Sequence, residues 1–347
     1  MNEKYRFIDC HTHLYTLNDK DGRDCFRLLD EYKKKSGASA VNILSLPNCE
    51  WGDAANTIVS ALYKLHDPSA YAYGGMVYTE YPAKATASEG YDALTQYREL
   101  MEIGFDGIKI IETKPTSAKM LALPVNSSFY EKMFKKAEED GTHFIWHVAD
   151  PEFFWDKNKS SAWNYGDGSY PTFSEILDAV YDVLERHKKL NVTFAHFFFA
   201  ADDTGRLEEL FAKYPNVGVD ITPGTEMYKA FTERKEFFKE FFEKYSDRIM
   251  FGTDCSFPEE CDNIKLSEAV RNVFTENGGG YNIWGYMSDG LGLKKEVVNA
   301  MFYENFLKKH NRPKKINVAS LKRYFNKYSS YMANDMKIKL SETLKNI

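Results

Sequence analysis

Two imidazoles, His11 and His13, stand two residues apart at the end of the apolar run Phe7-Ile8-Asp9-Cys10-His11-Thr12-His13. On a strand, strict alternation places Asp9, His11 and His13 on one face and Ile8, Cys10 and Thr12 on the other. A His-x-His pair alone is an ordinary polar strand end. Three further strand-like runs end in the same kind of group, however. His143, Ile145 and His147 share a face, with His147 the last residue of its run; His196 closes Val192-Thr193-Phe194-Ala195, and Asp254 follows Met250-Phe251-Gly252-Thr253. Imidazole nitrogen and carboxylate oxygen are the donors that zinc and similar divalent ions accept. Asp9, on the same face as the first two histidines, is expected to hold a ligand imidazole in place. His143 enters its strand at the end opposite His147 and is expected to be structural. His66, His187 and His310 lie in or at the ends of helical patterns and receive no site role.

The elements that position these groups repeat as a strand, a polar loop and a longer helical pattern. Eight strand-like runs are read at 6–10, 40–46, 70–77, 107–111, 143–148, 191–197, 217–221 and 249–253. Helical patterns lie between them at 24–35, 54–65, 92–103, 128–140, 174–187, 207–214 and 235–245. Such an alternation implies parallel strands joined by right-handed crossovers, and eight repeats favour a closed (β/α)8 barrel over an open sheet. All four chemistry-bearing strands then deliver their ligands at their C-terminal ends, the face on which such barrels build active sites. No G-x-G-x-x-G follows the first strand, which removes the main support for dinucleotide binding. Gly278-Gly279-Gly280 is read as a flexible turn between helices. Residues 1–310 are expected to form the barrel and 311–347 a helical C-terminal extension packed on or beside it.

Composition narrows the class. Of 347 residues, 43% are hydrophobic and 15% aromatic, ample material for one large core, and no apolar run approaches the ~18 residues of a membrane span. A formal net charge of −6 gives no general attraction to nucleic acid. Lys314, Lys315, Lys322, Arg323 and Lys327 are read as the solvated face of a terminal helix. The five cysteines lack CxxC spacing and the density of a disulfide scaffold, and no leader-like segment opens the chain. A cytoplasmic enzyme with a small organic substrate is expected, without nucleic-acid or membrane partners and with room for a homo-oligomer.

In ordered combination, Asp9-Cys10-His11-Thr12-His13, Gly107-Ile108-Lys109, His147, Ala195-His196, Tyr214-Pro215-Asn216-Val217 with Asp220, Gly252-Thr253-Asp254, and Glu304-Asn305-Phe306-Leu307 resemble the amidohydrolase superfamily. The branch is the one that includes aminocarboxymuconate-semialdehyde decarboxylase and several sugar-acid lactonases. The resemblance spans about residues 6 to 310. It implies one divalent ion, usually zinc with manganese or cobalt as alternatives, on His11, His13, His147 and Asp254, and His196 beside the metal-bound water. Such an ion lowers the pKa of its water to about 7; Asp254 would carry the proton and His196 orient the water or polarise a substrate oxygen. Where relatives of this branch often carry glycines after the sixth-strand histidine, this chain has Phe197-Phe198-Phe199-Ala200, which implies a bulkier and more apolar wall. Lys109 is read as an amine contacting a substrate anion or an inward-facing carboxylate, and its carbamylation, as in some distant relatives, would instead bridge two metals.

The segment from Asp150 to Pro171 is long for a βα loop. It interleaves Phe153, Phe154, Trp155, Trp163, Tyr165 and Tyr170 with Asp156, Lys157, Lys159, Ser160, Asn164 and Asp167. It is expected to cover the site, with Trp155 or Trp163 lining the pocket. The leading functional expectation is hydrolysis of a C–O or C–N bond in a lactone, ester or amide. The alternatives are a metal-dependent decarboxylase or other lyase, and an inactive barrel that only binds.

Overall fold

A computed structural model of the chain describes residues 5–49, 52–84, 86, 89–158, 163–224 and 226–347; Lys159 and Ser160 of the expected covering loop fall outside them. Eight strands follow one another as β1 (Ile8–Leu14), β2 (Ala40–Leu44), β3 (Tyr71–Gly74), β4 (Gly107–Thr113), β5 (His143–Val148), β6 (Asn191–Phe194), β7 (Val217–Asp220) and β8 (Ile249–Met250), and β9 (Cys255–Phe257) comes four residues later. All neighbouring pairs are parallel, in the order β8-β7-β6-β5-β4-β3-β2-β1-β9. β8 pairs with β7 and β9 with β1, so these two pieces act as one eighth strand, bridged to β1 by Cys10 N–H to Phe251 O and Asp254 N–H to His11 O. The architecture is a (β/α)8 barrel with a helical C-terminal extension.

Between the strands run α1 (Cys25–Ser36), α2 (Ala55–His66), α3 (Ala93–Ile103), α4 (Pro115–Leu121), α5 (Ser128–Asp140), α6 (Phe173–Arg186), α7 (Thr204–Lys213), α8 (Met227–Glu233), α9 (Lys235–Lys244) and α10 (Asn263–Thr275). Local chemistry fixes their ends. Asp24 accepts from the backbone N–H groups of Phe26 and Arg27 and Gly37 closes α1 in the left-handed region, while Thr172 and Glu175 form a reciprocal capping box on α6.

Two apolar layers result from the alternation. Ile8, Cys10, Leu44, Tyr73, Ile145 and Met250 fill the barrel interior below the site, closed from beneath by Phe306; Phe144, Trp146, Val148, Phe194 and Phe251 face the helices. Burying each such side chain stabilises the fold by roughly 1.5–3 kcal/mol before entropy is counted. Gly252 permits the close approach of the eighth strand to the first. A Cβ there would lie 2.3 Å from Thr222 Oγ1 and 2.8 Å from His11 Cβ, so any larger residue would push His11 out of place.

Beyond the barrel helices, β10 (Asn277–Ile283) and β11 (Tyr286–Leu291) form an antiparallel hairpin. Gly278-Gly279-Gly280 therefore belongs to a strand and is not the turn expected from sequence: pairing with β11 and packing against α8 and α10 override the local signal. α11 (Lys295–Asn299), a π-helical turn (Ala300–Glu304) and α12 (Asn305–Lys309) then cross beneath the barrel. Finally α13 (Val318–Tyr328) packs on α2 and α3, and α14 (Asn334–Lys345) on α2. Arg323 and Lys327 of the basic tail are tied to Glu102 and Glu99 of α3. Among the described residues, no helix is long and apolar enough to cross a membrane.

Candidate active site

At the C-terminal mouth of the barrel a cavity of about 730 Å³ is lined by His11, His13, Lys109, His147, His196 and Asp254 together. Strands from five parts of the chain converge there. Parity explains His147, which points inward with Ile145 while Phe144 and Trp146 point to the helices. The first strand departs from strict alternation: its pairing with β2 advances three residues against two between Asp9 and Thr12. That bulge turns His11 and His13 into the cavity and leaves Asp9 facing the helices.

Asp9 is consequently not the partner of a ligand imidazole. Its carboxylate accepts from the backbone N–H of His11 (3.3 Å) and Thr253 (3.1 Å), the Thr253 hydroxyl (2.6 Å) and the Tyr32 hydroxyl (2.5 Å). Burial raises it to about 7 against those four bonds. It thus ties the first strand to the eighth and to α1. The role expected of it falls to Asp220, whose Oδ2 lies 2.9 Å from His11 Nδ1. Sequence reading placed Asp220 in a motif but gave it no role.

Three imidazoles are held in one tautomer. His13 Nδ1 is 2.8 Å from Leu44 O and His196 Nδ1 is 3.0 Å from Pro223 O; a carbonyl only accepts, so each Nδ1 carries the proton and each Nε2 presents a lone pair. Asp220 does the same for His11. Burial pushes His11 well below its ordinary value, with the Lys109 charge adding to it, and lowers His196 to about 4. His11 and His196 are thereby neutral at pH 7, the state that a metal-ligating imidazole such as His11 requires. Burial alone would raise Asp254, but the imidazoles around it, His13 foremost with His11 and His196, outweigh burial and hold it far below the carboxylate range.

Asp254 Oδ1 lies 3.0 Å from His13 Nε2 and 3.5 Å from His11 Nε2. The ligand atoms of His11, His13 and Asp254 all lie within 4.8 Å of one another. Two oriented imidazole lone pairs, each backed by an acceptor on the far nitrogen, and one carboxylate fit a divalent ion. His147 stands apart from this trio. Its Nε2 is 3.1 Å from Asp150 Oδ1, and its ring lies 4.9 Å from that of His196. Burial lowers His147, whereas Asp150 is held at about 2, where its hydrogen bond to His147 and the charge of Lys114 outweigh burial.

Lys109 is completely enclosed, its Nζ 3.2 Å from His11 Nε2. Burial lowers it to about 8, so it keeps its proton at pH 7 while remaining easy to neutralise. Lys114, on the loop after the same strand, bonds Asp150 at 3.2 Å and lies 5.1 Å from the centre of the Trp163 ring.

The covering loop is sorted by the structure. Phe154 and Trp163 line the cavity. Trp155 does not: its indole donates to Pro171 O at 3.0 Å and its ring packs on Tyr165 and Phe173. The substrate role expected of it is corrected to a packing role: in the 3-10 turn Glu152–Trp155 successive side chains diverge by about a third of a turn, so Phe154 can face the cavity while Trp155 packs on Tyr165 and Phe173. The triple phenylalanine is equally divided. His196, Phe197, Phe198 and Phe199 all have positive φ, from 46 to 57°, a conformation costing roughly 1–2 kcal/mol per residue for non-glycines. This turn places Phe199 against His196 and His147 in the cavity wall and buries Phe197 among Phe231, Phe238, Phe241 and Phe242. Tyr15, Asp150, Glu260 and Trp284 also line the cavity and were missed. Tyr15 was legible, two residues beyond His13 on the same face; Trp284, on a hairpin not foreseen, carried no sequence signal.

The fold has solved counterparts. 5-Carboxyvanillate decarboxylase from Sphingomonas paucimobilis superposes with a TM-score of 0.52 at 12% identity, covering 89% of this chain and 100% of that one. 2,6-Dihydroxybenzoate decarboxylase from Rhizobium gives 0.53 at 12%, over 88% and 98% of the two chains. A dihydroxybenzoic acid decarboxylase from a Polaromonas species, with bound manganese and the inhibitor 2-nitroresorcinol, gives 0.53 at 13%, over 88% and 97%. No curated protein sequence matches. The sequence model of the amidohydrolase family matches residues 8–305, a span that contains every cavity residue named above, and the chain belongs to that family.

Proposed function

We propose that the protein is a metal-dependent enzyme that decarboxylates a small organic acid. The observation that carries the reading is the His11, His13 and Asp254 trio, oriented for a divalent ion beside a buried cation, Lys109. The neighbouring solved structures named for decarboxylases, one of them holding manganese, support lyase chemistry over hydrolysis. A bound ion would act as a Lewis acid toward a substrate oxygen.

The chain's own groups divide the remaining work. Lys109 now donates to His11 Nε2 at 3.2 Å; were that lone pair given to an ion, the ammonium would be free to face the departing carboxylate. Phe154, Phe199, Leu46 and Ile111 give the cavity apolar walls, which favour loss of charge from that carboxylate. The C–C bond breaks, carbon dioxide leaves, and the electron pair left on carbon takes a proton from solvent. His196, neutral with Nε2 facing the cavity, orients the water that delivers it, and Asp254 relays the proton.

Hydrolysis of a lactone, ester or amide is the second reading, favoured by the same neutral His196 beside an ionised Asp254, an arrangement suited to activating water. Protein loaded separately with zinc and manganese is to be offered a panel of hydroxybenzoates and a panel of lactones, esters and amides, with carbon dioxide and acid release followed. Carbon dioxide release that chelator abolishes supports the proposal. Acid release alone moves the protein to hydrolysis, and inactivity of both loaded forms on both panels rejects the reading.

A further inference from the structure

The β10–β11 hairpin reaches the mouth of the cavity. Ile283 pairs with Tyr286, which leaves Trp284-Gly285 as a two-residue turn with φ of 49° and 88°. Positive φ at both central positions is the type I′ pattern, for which asparagine, aspartate or glycine is the usual first residue. A tryptophan there is strained by roughly 1–2 kcal/mol. Its indole gains no core burial in return, since Trp284 remains 46% exposed. A side chain held in a costly conformation at the edge of an active site is a candidate for contact with a ligand.

The surroundings say which ligand part it meets. Trp284 lines the same cavity as His11, His13 and Asp254, and Trp163, itself 36% exposed, lines it from the covering loop. The hairpin is anchored below its tip: Ser288 Oγ donates to Tyr228 O at 3.2 Å, Asp289 N–H donates to Thr232 Oγ1 at 3.0 Å, and Ile283 and Leu291 are buried. At the tip, Gly285 N–H donates to Asn282 Oδ1 at 2.8 Å, closing the turn. The backbone that presents the indole is thus held by a fixed support, which limits the ordering needed on binding. Lys109, His11 and Asp254 lie together within the cavity, while the two more exposed indoles line it from the hairpin and the covering loop, Trp163 beside Lys114.

We propose that Trp284 is a specificity-determining residue: it packs against the flat organic body of a substrate whose carboxylate and oxygen substituents face Lys109, His11 and Asp254. This rests on the function proposed above, and the experiment separates the two. The probe is 2,6-dihydroxybenzoate, titrated into zinc-loaded protein labelled with 5-fluorotryptophan, with the Trp284 line assigned from its loss in Trp284→Phe. The Trp284 line is expected to shift on titration. Trp284→Ala is expected to weaken binding of the probe at least about tenfold with zinc content unchanged, and Trp284→Phe to restore it to within about threefold, because a flat ring is retained. Met287→Ala, on the exposed far strand, is expected to bind like the parent. A parent that binds the probe while the Trp284 line stays fixed, or a Trp284→Ala protein that binds it as the parent does, overturns the assignment alone. A zinc-loaded parent that binds no probe by equilibrium dialysis overturns this inference, whereas the proposed function falls only on inactivity of both loaded forms on both panels.

Discussion

His11 Nδ1 lies 2.9 Å from Asp220 Oδ2, and both side chains are almost wholly enclosed. The contact fixes which nitrogen of His11 faces the cavity, and Asp220 Oδ1 meanwhile accepts from the backbone N–H of His196 and Thr222. One carboxylate therefore orients groups from two strands. Replacing it by Asn keeps the volume but weakens the acceptor toward His11. Asp220→Asn is expected to lower zinc or manganese affinity roughly 10- to 100-fold while the circular dichroism spectrum is retained. Unchanged affinity by equilibrium dialysis would remove Asp220 from the metal centre.

The parent should bind about one equivalent of a divalent ion, removable by chelator. His196→Ala is expected to keep that ion and lose most turnover, because its lone pair serves water and substrate. Asp254→Asn is expected to lose turnover and part of the metal affinity together, since it removes both a ligand charge and a proton carrier. Loss of metal in His196→Ala would make His196 a ligand, a role that its position 4.9 Å from the His147 ring makes testable. Two equivalents, with added mass on Lys109, would mark a carbamate bridging two ions.

The barrel and its ligand-bearing strand ends were legible because both depend on periodicity. A period of two sorted Ile145 and His147 from Phe144 and Trp146, and strand–helix alternation sorted the eight repeats. What escaped depends on non-local geometry. The bulge after Asp9 is one extra residue set by pairing with β2, and it exchanged the roles of Asp9 and Asp220. The hairpin escaped because Asn277-Gly278-Gly279-Gly280 has no strand propensity, and its pairing and packing come from residues distant in sequence.

The two tryptophans of the covering loop should behave differently. Trp163→Ala is expected to lower kcat/KM about tenfold, or roughly 1.4 kcal/mol, with metal content and stability unchanged. Trp155→Ala is expected to act on stability instead. It removes a half-buried ring from Tyr165 and Phe173 and a hydrogen bond to Pro171 O, at a cost of roughly 2–3 kcal/mol. Denaturant unfolding of both variants beside their kinetics tests the division; equal kinetic loss with equal stability would return Trp155 to the pocket.

Acid should weaken the fold through the floor of the barrel. Tyr73 shares its hydroxyl with His143 Nδ1 and His310 Nε2, and His143 Nε2 contacts Thr193 Oγ1 at 2.8 Å. Burial, aided by Lys314, Lys64 and Lys309, lowers His310 from 6.5 to about 3; burial also lowers His143 well below its ordinary value, with Lys309 contributing. The sign follows from proton uptake. Below pH 6.5 the unfolded chain protonates both rings while the folded one refuses, so stability is full above that pH and falls as pH drops, down to about 3 for His310. The limiting slope is about 1.4 kcal/mol per pH unit for each histidine. Urea unfolding between pH 7 and pH 5 should show this decline, and His310→Gln, neutral at every pH, should flatten it by up to one histidine's share. A parent whose stability is level across that interval, or a variant as steep as the parent, would show that these rings accept protons within the fold.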